Sequence, residues 1–177
     1  MLGGIRSGKS LWAERAALAT FGGAAPPLRY IATGAAPGSD PAWAQRVAEH
    51  RRRRPPTWLT TETDDVAAEL RAEPSSPALV DDLGGWLTAV LDRQGWEGGA
   101  VAGEADELVN AVADFAAPLL LVSPEVGLTV VPATAAGCRF ADELGRLNQR
   151  LADCCDRVVL VVAGQPIRVK PAAGAAD

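Results

Sequence analysis

The sequence predicts an α/β protein with a mostly parallel sheet flanked by helices and an antiparallel edge strand near the carboxyl terminus. Short apolar, β-rich runs alternate with segments of helical periodicity, which is typical of a parallel sheet. The run 158–162 is apolar without alternation, as expected of a strand covered on both faces. The run 167–170 alternates and follows a Gly164-Gln165-Pro166 turn, which favours an antiparallel edge strand.

The remaining elements follow from the same two periodicities. The predicted strands are 28–33, 57–60, 78–80, 119–122, 158–162 and 167–170, and the predicted helices are 9–20, 41–53, 63–72, 84–94, 104–116 and 135–153. The last helix has the clearest apolar stripe, because Phe140, Leu144, Leu147 and Leu151 follow one another at helical spacing. We expect one domain over residues 1–170 and a disordered tail over 171–177.

Composition limits the class of protein. A chain of 177 residues with 48% hydrophobic content suits one globular domain with a sizeable core. The net charge of −5 argues against general nucleic-acid binding, which needs a broadly basic surface. Neither a membrane-spanning apolar run nor a signal-peptide pattern is present, so we expect a cytoplasmic protein. The three cysteines lack metal-ligand spacing and are interpreted as reduced.

The third observation behind the fold class is a glycine-rich loop at the start of the chain. It matches G-x-x-x-x-G-K-[ST], and its residues, predicted to bind nucleotide, are Gly3, Gly4, Ile5, Arg6, Ser7, Gly8, Lys9 and Ser10. The backbone N–H groups of such a loop surround phosphates, Lys9 reaches the outer phosphates, and the Ser10 hydroxyl can hold Mg²⁺. A nucleoside triphosphate is therefore the expected ligand.

The strand that should lead into this loop is short. A phosphate loop normally follows a buried strand, yet only Met1 and Leu2 precede Gly3. We expect that this strand cannot form in full and that the natural chain starts upstream.

Asp81 ends a short apolar run and resembles the carboxylate of a Walker-B strand. Such a carboxylate helps to hold Mg²⁺ beside the phosphate loop, so Ser10 and Asp81 are the predicted metal ligands. The alternative is a strand that runs into a solvated turn. Asp82 would point to the other face if the strand continued.

His50 is the single histidine and precedes the arginine run 51–54. A lone histidine beside arginines is often only a surface feature. Gathering four positive charges in an acidic protein is costly, however, unless an anion binds there. We therefore predict that Arg51 and Arg54 bind nucleotide and that the His50 imidazole attacks phosphorus.

Glu125 follows the run 119–122 and is also predicted to contact nucleotide. Loops at the carboxyl ends of parallel strands line the ligand crevice. A purely structural turn shaped by Gly127 and Pro132 is an equally good interpretation.

Five motifs in order resemble one known family, the bifunctional adenosylcobinamide kinase / adenosylcobinamide-phosphate guanylyltransferases, widely called CobU or CobP. They are the loop Gly3 to Ser10, the strand Tyr30-Ile31-Ala32-Thr33, the histidine and arginine segment Arg46 to Pro55, the segment Glu125 to Pro132, and the helix Arg139 to Ala152.

The resemblance implies a RecA-like P-loop NTPase fold and two reactions at one nucleotide site. GTP or ATP phosphorylates adenosylcobinamide, and GTP then donates GMP to the phosphate through a guanylyl-histidine that corresponds to His50. It also implies catalytic use of Lys9, Mg²⁺ as cofactor, small-molecule substrates and a homo-oligomer.

Three local departures from the family pattern leave alternatives open. Pro124 stands where asparagine is common, Asp82-Leu83-Gly84-Gly85 replaces a Cys-Leu-Thr-Leu-like stretch, and Ala133-Thr134 replaces more polar residues after Val131-Pro132. One alternative is a homologue that retains only guanylyl transfer. Another is a non-catalytic RecA-like nucleotide switch, which would have no special need for His50.

Overall fold

The computed structural model describes residues 1–21, 27–33, 41–128 and 130–170, with side chains omitted at 41–43 and 46. Strands and helices alternate along most of this length. The strands are β1 (Leu2–Gly3), β2 (Arg29–Ala32), β3 (Leu59–Glu62), β4 (Ala78–Asp81), β5 (Leu119–Pro124), β6 (Val158–Val162) and β7 (Gln165–Lys170). The helices are α1 (Lys9–Phe21), α2 (Pro41–Arg53), α3 (Val66–Ala72), α4 (Leu83–Gln94), α5 (Ala102–Ala113) and α6 (Ala135–Cys154).

The strands form one sheet in the order β3-β2-β4-β5-β1-β6-β7. All neighbours run parallel except β6 and β7, which pair antiparallel at the edge. The predicted fold class is confirmed. The first strand is short, as predicted, with two residues that pair with β5 on one side and β6 on the other. It places the loop that follows it in the middle of the sheet.

Several boundaries differ from the predicted ones by a few residues, and three of these differences have local reasons. β3 begins at Leu59 rather than 57 because the Trp58 N–H donates to the Pro55 carbonyl in a turn. α3 begins at Val66 rather than 63 because the Asp65 carboxylate caps its first turn. α5 ends at Ala113 rather than 116, where the chain turns to donate two backbone N–H groups to Pro74. The predicted tail 171–177 lies outside the described residues.

Alternate residues of the central strands point to two different layers. Ile31, Val80 and Leu121 enter a large apolar cluster against α3, α4, α5 and α6. The predicted stripe of α6 packs there, with Leu144, Leu147 and Leu151 buried and Phe140 partly buried. Tyr30, Leu79 and Val122 enter a smaller cluster against α1. Among the described helices, none has both the length and the hydropathy needed to cross a bilayer.

Candidate active site

The phosphate loop connects β1 to α1 and needs glycine at two positions. Gly8 has φ +91°, in the left-handed region that favours glycine, and Arg6 also has a positive φ, of 56°. A Cβ on Gly3 would lie 2.4 Å from Ser7 Oγ and 2.8 Å from the Val161 carbonyl oxygen. The loop is therefore held close against β6, at the carboxyl edge of the sheet.

Asp81 lies directly beside the end of this loop. The Ser10 hydroxyl donates to Asp81 Oδ1 over 3.0 Å, and the Tyr30 hydroxyl donates to Oδ2. Burial alone would raise the pKa of the Asp81 carboxyl, but hydrogen bonds from His50, Tyr30 and Ser10 outweigh burial and lower this pKa below its ordinary value. Asp81 is therefore a buried carboxylate that stays ionised.

His50 lies in the last turn of α2 and contacts the same carboxylate. Its Nδ1 is 3.3 Å from Asp81 Oδ2, and its side chain is 32% exposed whereas that of Asp81 is 6% exposed. The structure thus brings together the predicted metal ligands, Ser10 and Asp81, and the predicted nucleophile within one chain. The imidazole thus contacts Asp81 while about one-third of its side-chain surface stays exposed.

Three side chains of the arginine run have three different partners. Arg51 pairs with Glu62 at the surface. Arg53 forms a double ion pair with the buried carboxylate of Glu14, with Nε and an outer guanidinium nitrogen 3.0 and 3.1 Å from its two oxygens. This hydrogen-bonded carboxylate raises the pKa of the Arg53 guanidinium.

Arg54 lies over the ring of Tyr30, with its central carbon 3.7 Å from the ring centroid. The same ring stacks on Trp58 at a centroid distance of 6.0 Å. The two arginines predicted to bind nucleotide, Arg51 and Arg54, therefore face a carboxylate and an aromatic ring in this structure.

Glu125 lies beside the start of the phosphate loop, and its carboxylate bonds within its own turn. Its backbone N–H donates to the Gly3 carbonyl over 3.0 Å. Its Oε1 accepts from the Gly127 N–H over 2.7 Å. These hydrogen bonds fit the alternative interpretation of a structural turn around Gly127.

Asp82 has a structural role next to Asp81. Its Oδ1 accepts from the Gly85 N–H over 2.8 Å and caps α4. Burial and the neighbouring Asp81 charge raise the pKa of Asp82. Two of the departures from the family pattern also meet here, because a Cβ on Gly84 would lie 2.7 Å from Pro124 Cγ. Glycine at position 84 makes room for proline at position 124.

Three side chains of this network were absent from the sequence-based prediction: Glu14, Tyr30 and Arg53. Glu14 follows Ser10 by four residues, a spacing that places both on one face of α1. Arg53 follows His50 by three residues and shares its face of α2 in the same way. These spacings were available in the sequence, but the partner of each residue depends on how the helices pack.

One cavity lies away from these residues. A space of about 540 Å³ lies between α3, α4 and α5. Arg71 and Arg93 in its lining already form ion pairs with Glu107, and with Asp64 and Glu104. Both arginines of this cavity are thus already paired within the protein. The phosphate loop instead lies beside Asp81 and a partly exposed imidazole.

Comparison with known proteins points to one family. Residues 1–169 match the family model CobU, described as "Cobinamide kinase / cobinamide phosphate guanyltransferase". The chain is 42% identical over 176 residues to the bifunctional adenosylcobalamin biosynthesis protein CobP of Pseudomonas aeruginosa, covering 96% of this chain and 95% of that protein. It is 33% identical over 182 residues to the bifunctional adenosylcobalamin biosynthesis protein CobU of Salmonella typhimurium, covering 95% and 97%.

Proposed function

The chain belongs to the cobinamide kinase / cobinamide phosphate guanyltransferase family, and we propose that it phosphorylates adenosylcobinamide and then transfers GMP from GTP to the product. One observation carries the proposal beyond family membership. His50 Nδ1 lies 3.3 Å from Asp81, which accepts a hydrogen bond from the last residue of the phosphate loop. The proposed nucleophile and the phosphate loop thus contact the same carboxylate.

In the kinase step, the loop binds the triphosphate and the substrate hydroxyl attacks the terminal phosphorus. The bond between the β- and γ-phosphates breaks, the nucleoside diphosphate leaves, and the hydroxyl proton is released to solvent. Backbone N–H groups of the loop and the Lys9 ammonium bind the phosphate oxygens and stabilise the charge that moves onto them. His50 has no covalent part in this step.

In the guanylyl transfer, His50 acts as the nucleophile. Its Nδ1–H donates to Asp81, which leaves the lone pair on Nε2 free to attack the α-phosphorus of GTP. An N–P bond forms, the bond between the α- and β-phosphates breaks, and pyrophosphate leaves. A phosphate oxygen of adenosylcobinamide phosphate then attacks the same phosphorus, the N–P bond breaks, and adenosylcobinamide-GDP leaves a free imidazole.

The residues at the end of the phosphate loop fit a magnesium ion. The Ser10 hydroxyl and the Asp81 carboxylate are hard oxygen ligands 3.0 Å apart, and Asp81 is ionised. We propose that these two residues hold Mg²⁺, which would neutralise phosphate charge during transfer.

The test is covalent labelling with GTP radioactive at the α-phosphate, followed by denaturing electrophoresis. We expect wild type to carry an acid-labile, alkali-stable label and His50→Ala to carry none, while His50→Ala keeps its kinase turnover. Gln45→Ala, an exposed position on the same helix, is the matched control and should label like wild type. An unlabelled wild type would favour the non-catalytic switch.

A second assay separates the bifunctional enzyme from a guanylyltransferase that lacks the kinase. Unphosphorylated adenosylcobinamide and GTP should yield the GDP adduct only if both activities are present. If the GDP adduct forms from adenosylcobinamide phosphate but not from adenosylcobinamide, the protein has only the guanylyltransferase activity.

The proposal extends to the setting of the enzyme. We propose a single domain over residues 1–170 that acts on small molecules as a homo-oligomer in the cytoplasm. Sedimentation of the purified protein tests the assembly, and a monomer at working concentration would contradict it.

A further inference from the structure

The buried ion pair between Glu14 and Arg53 joins α1 to the end of α2. Glu14 is 4% exposed and lies between Ala13 and Ala17, which are fully buried. Both of its oxygens accept from Arg53, whose side chain is 35% exposed. Burying a carboxylate is costly, and a double hydrogen bond to a guanidinium is the arrangement that best offsets this cost.

The pair connects the two helix faces that carry the chemistry. Glu14 follows Ser10 by one helical turn on α1, and Arg53 follows His50 by about one turn on α2. The ligand atoms of Glu14, His50 and Asp81 all lie within 4.8 Å of one another. A shift of α2 along or away from α1 would therefore move the imidazole and break this ion pair together.

A second contact holds the next residue of the chain. Arg54 lies over Tyr30, and the Tyr30 hydroxyl bonds the same Asp81 that contacts His50. The end of α2 is thus fixed to α1, to β2 and, through His50 itself, to β4. Of these contacts, the one to Glu14 is charged on both sides and bidentate, so it resists displacement most.

We propose that Glu14 is a positioning residue for guanylyl transfer: by binding Arg53, it holds the last turn of α2 where His50 can reach the α-phosphorus. This inference rests on the proposed function and adds to it a residue that acts through Arg53. It predicts that loss of the ion pair affects formation of the covalent intermediate and spares the kinase step, which does not use His50.

The experiment measures the rate of guanylyl-histidine formation and the kinase turnover of the same preparations. Glu14→Gln keeps the shape of the side chain and removes its charge. We expect labelling to slow about 10- to 100-fold, as for loss of a charged hydrogen bond, with kinase turnover within about twofold of wild type. Glu107→Gln is the matched control, because it removes the charge of an exposed ion pair between α3 and α5 and should change neither rate.

Two further variants distinguish positioning from a general loss of structure. If Glu14 and Arg53 act as a pair, the double variant Glu14→Gln with Arg53→Gln should label no more slowly than the slower single variant. Arg53→Lys keeps the positive charge but loses the paired guanidinium donors that bind both oxygens of Glu14. Its labelling rate should therefore lie between those of wild type and Glu14→Gln.

The outcomes separate this inference from the function on which it depends. A wild type that takes no label would overturn the guanylyl transfer itself. A labelled wild type with Glu14→Gln at the same rate would overturn only the positioning role. Equal losses of labelling and kinase turnover in Glu14→Gln would also overturn the positioning role. The same holds if the labelling losses of the two single variants multiply in the double variant.

Discussion

The two faces of the central sheet are built differently. One face packs Ile31, Val80 and Leu121 against four helices in a continuous apolar cluster that contains Leu87, Leu91 and Leu108. The other face packs small residues of α1, and its edge carries an ionised carboxylate, an imidazole, a phenol and a buried ion pair. Both faces come from the same strands, because consecutive residues of a strand point to opposite sides.

The difference shows how the protein separates stability from chemistry. Large apolar side chains on one side contribute most of the burial that stabilises the fold. That allows the other side to bury charged and polar groups, which add little net stability but fix the positions of reacting atoms. Mutations on the two faces should therefore differ in what they change.

The largest effect on stability is expected for Leu87→Ala. Leu87 is fully buried, and the cavity left by truncation should lower the free energy of unfolding by about 3–5 kcal/mol. Urea denaturation measures this loss, and the KM for GTP should stay unchanged. Leu18→Ala on α1, where the side chain is 41% exposed, is the matched control and should cost about 1 kcal/mol or less. Equal losses would contradict the contrast between the faces.

Asp81→Asn should have the largest effect on activity with a small effect on folding. Removing this charge takes away the proposed magnesium ligand and the acceptor for His50, so both activities should fall about 100- to 1,000-fold. The Mg²⁺ concentration for half-maximal rate should rise. Asp82→Asn is the neighbouring control, since asparagine also caps helices and should keep activity within about threefold. If Asp82→Asn lowered activity more than Asp81→Asn, Asp82 would be the carboxylate that the reactions require.

Tyr30→Phe tests the polar network at a finer level. Phenylalanine keeps the ring beneath Arg54 and against Trp58 but removes the O–H donor to Asp81. We expect the free energy of unfolding to fall by about 1 kcal/mol and guanylyl labelling to slow by up to about tenfold. Thermal unfolding and single-turnover labelling measure the two effects. An unchanged labelling rate would show that Asp81 is held well enough by its other partners.

The smallest effect is expected for Glu62→Gln. Arg51 and Glu62 are each about half exposed, so their ion pair should contribute less than about 0.5 kcal/mol to stability. Unfolding and labelling should both stay near wild type. A tenfold slower labelling rate would instead assign to this pair the role that we give to Glu14 and Arg53.

Much of the fold could be predicted from the sequence because its signals are local. The apolar run 158–162 and the alternation after Gln165 predict a central strand and an antiparallel edge, and both are present. The apolar stripe of α6 likewise predicts which residues are buried. Boundaries were less predictable, since the start of α3 depends on a cap by Asp65 rather than on periodicity.

The sequence led to several residues that lie together in the candidate site, but not to their partners. The phosphate-loop motif and the carboxylate at the end of β4 lead to Ser10 and Asp81, which the sheet brings together. The arginine run predicts a positive cluster but not that Arg53 pairs with Glu14, because that depends on how α2 packs on α1. The close approach of Gly84 and Pro124 could not be predicted either, because these residues are far apart in sequence and meet only in the folded chain.

The most direct test of the account is to locate the nucleotidyl group on the protein. Wild type incubated with GTP, digested and analysed by tandem mass spectrometry should carry one GMP on His50, and the modification should disappear when adenosylcobinamide phosphate is added. Modification of another residue, or none under conditions where the GDP adduct forms, would contradict a covalent role for this histidine.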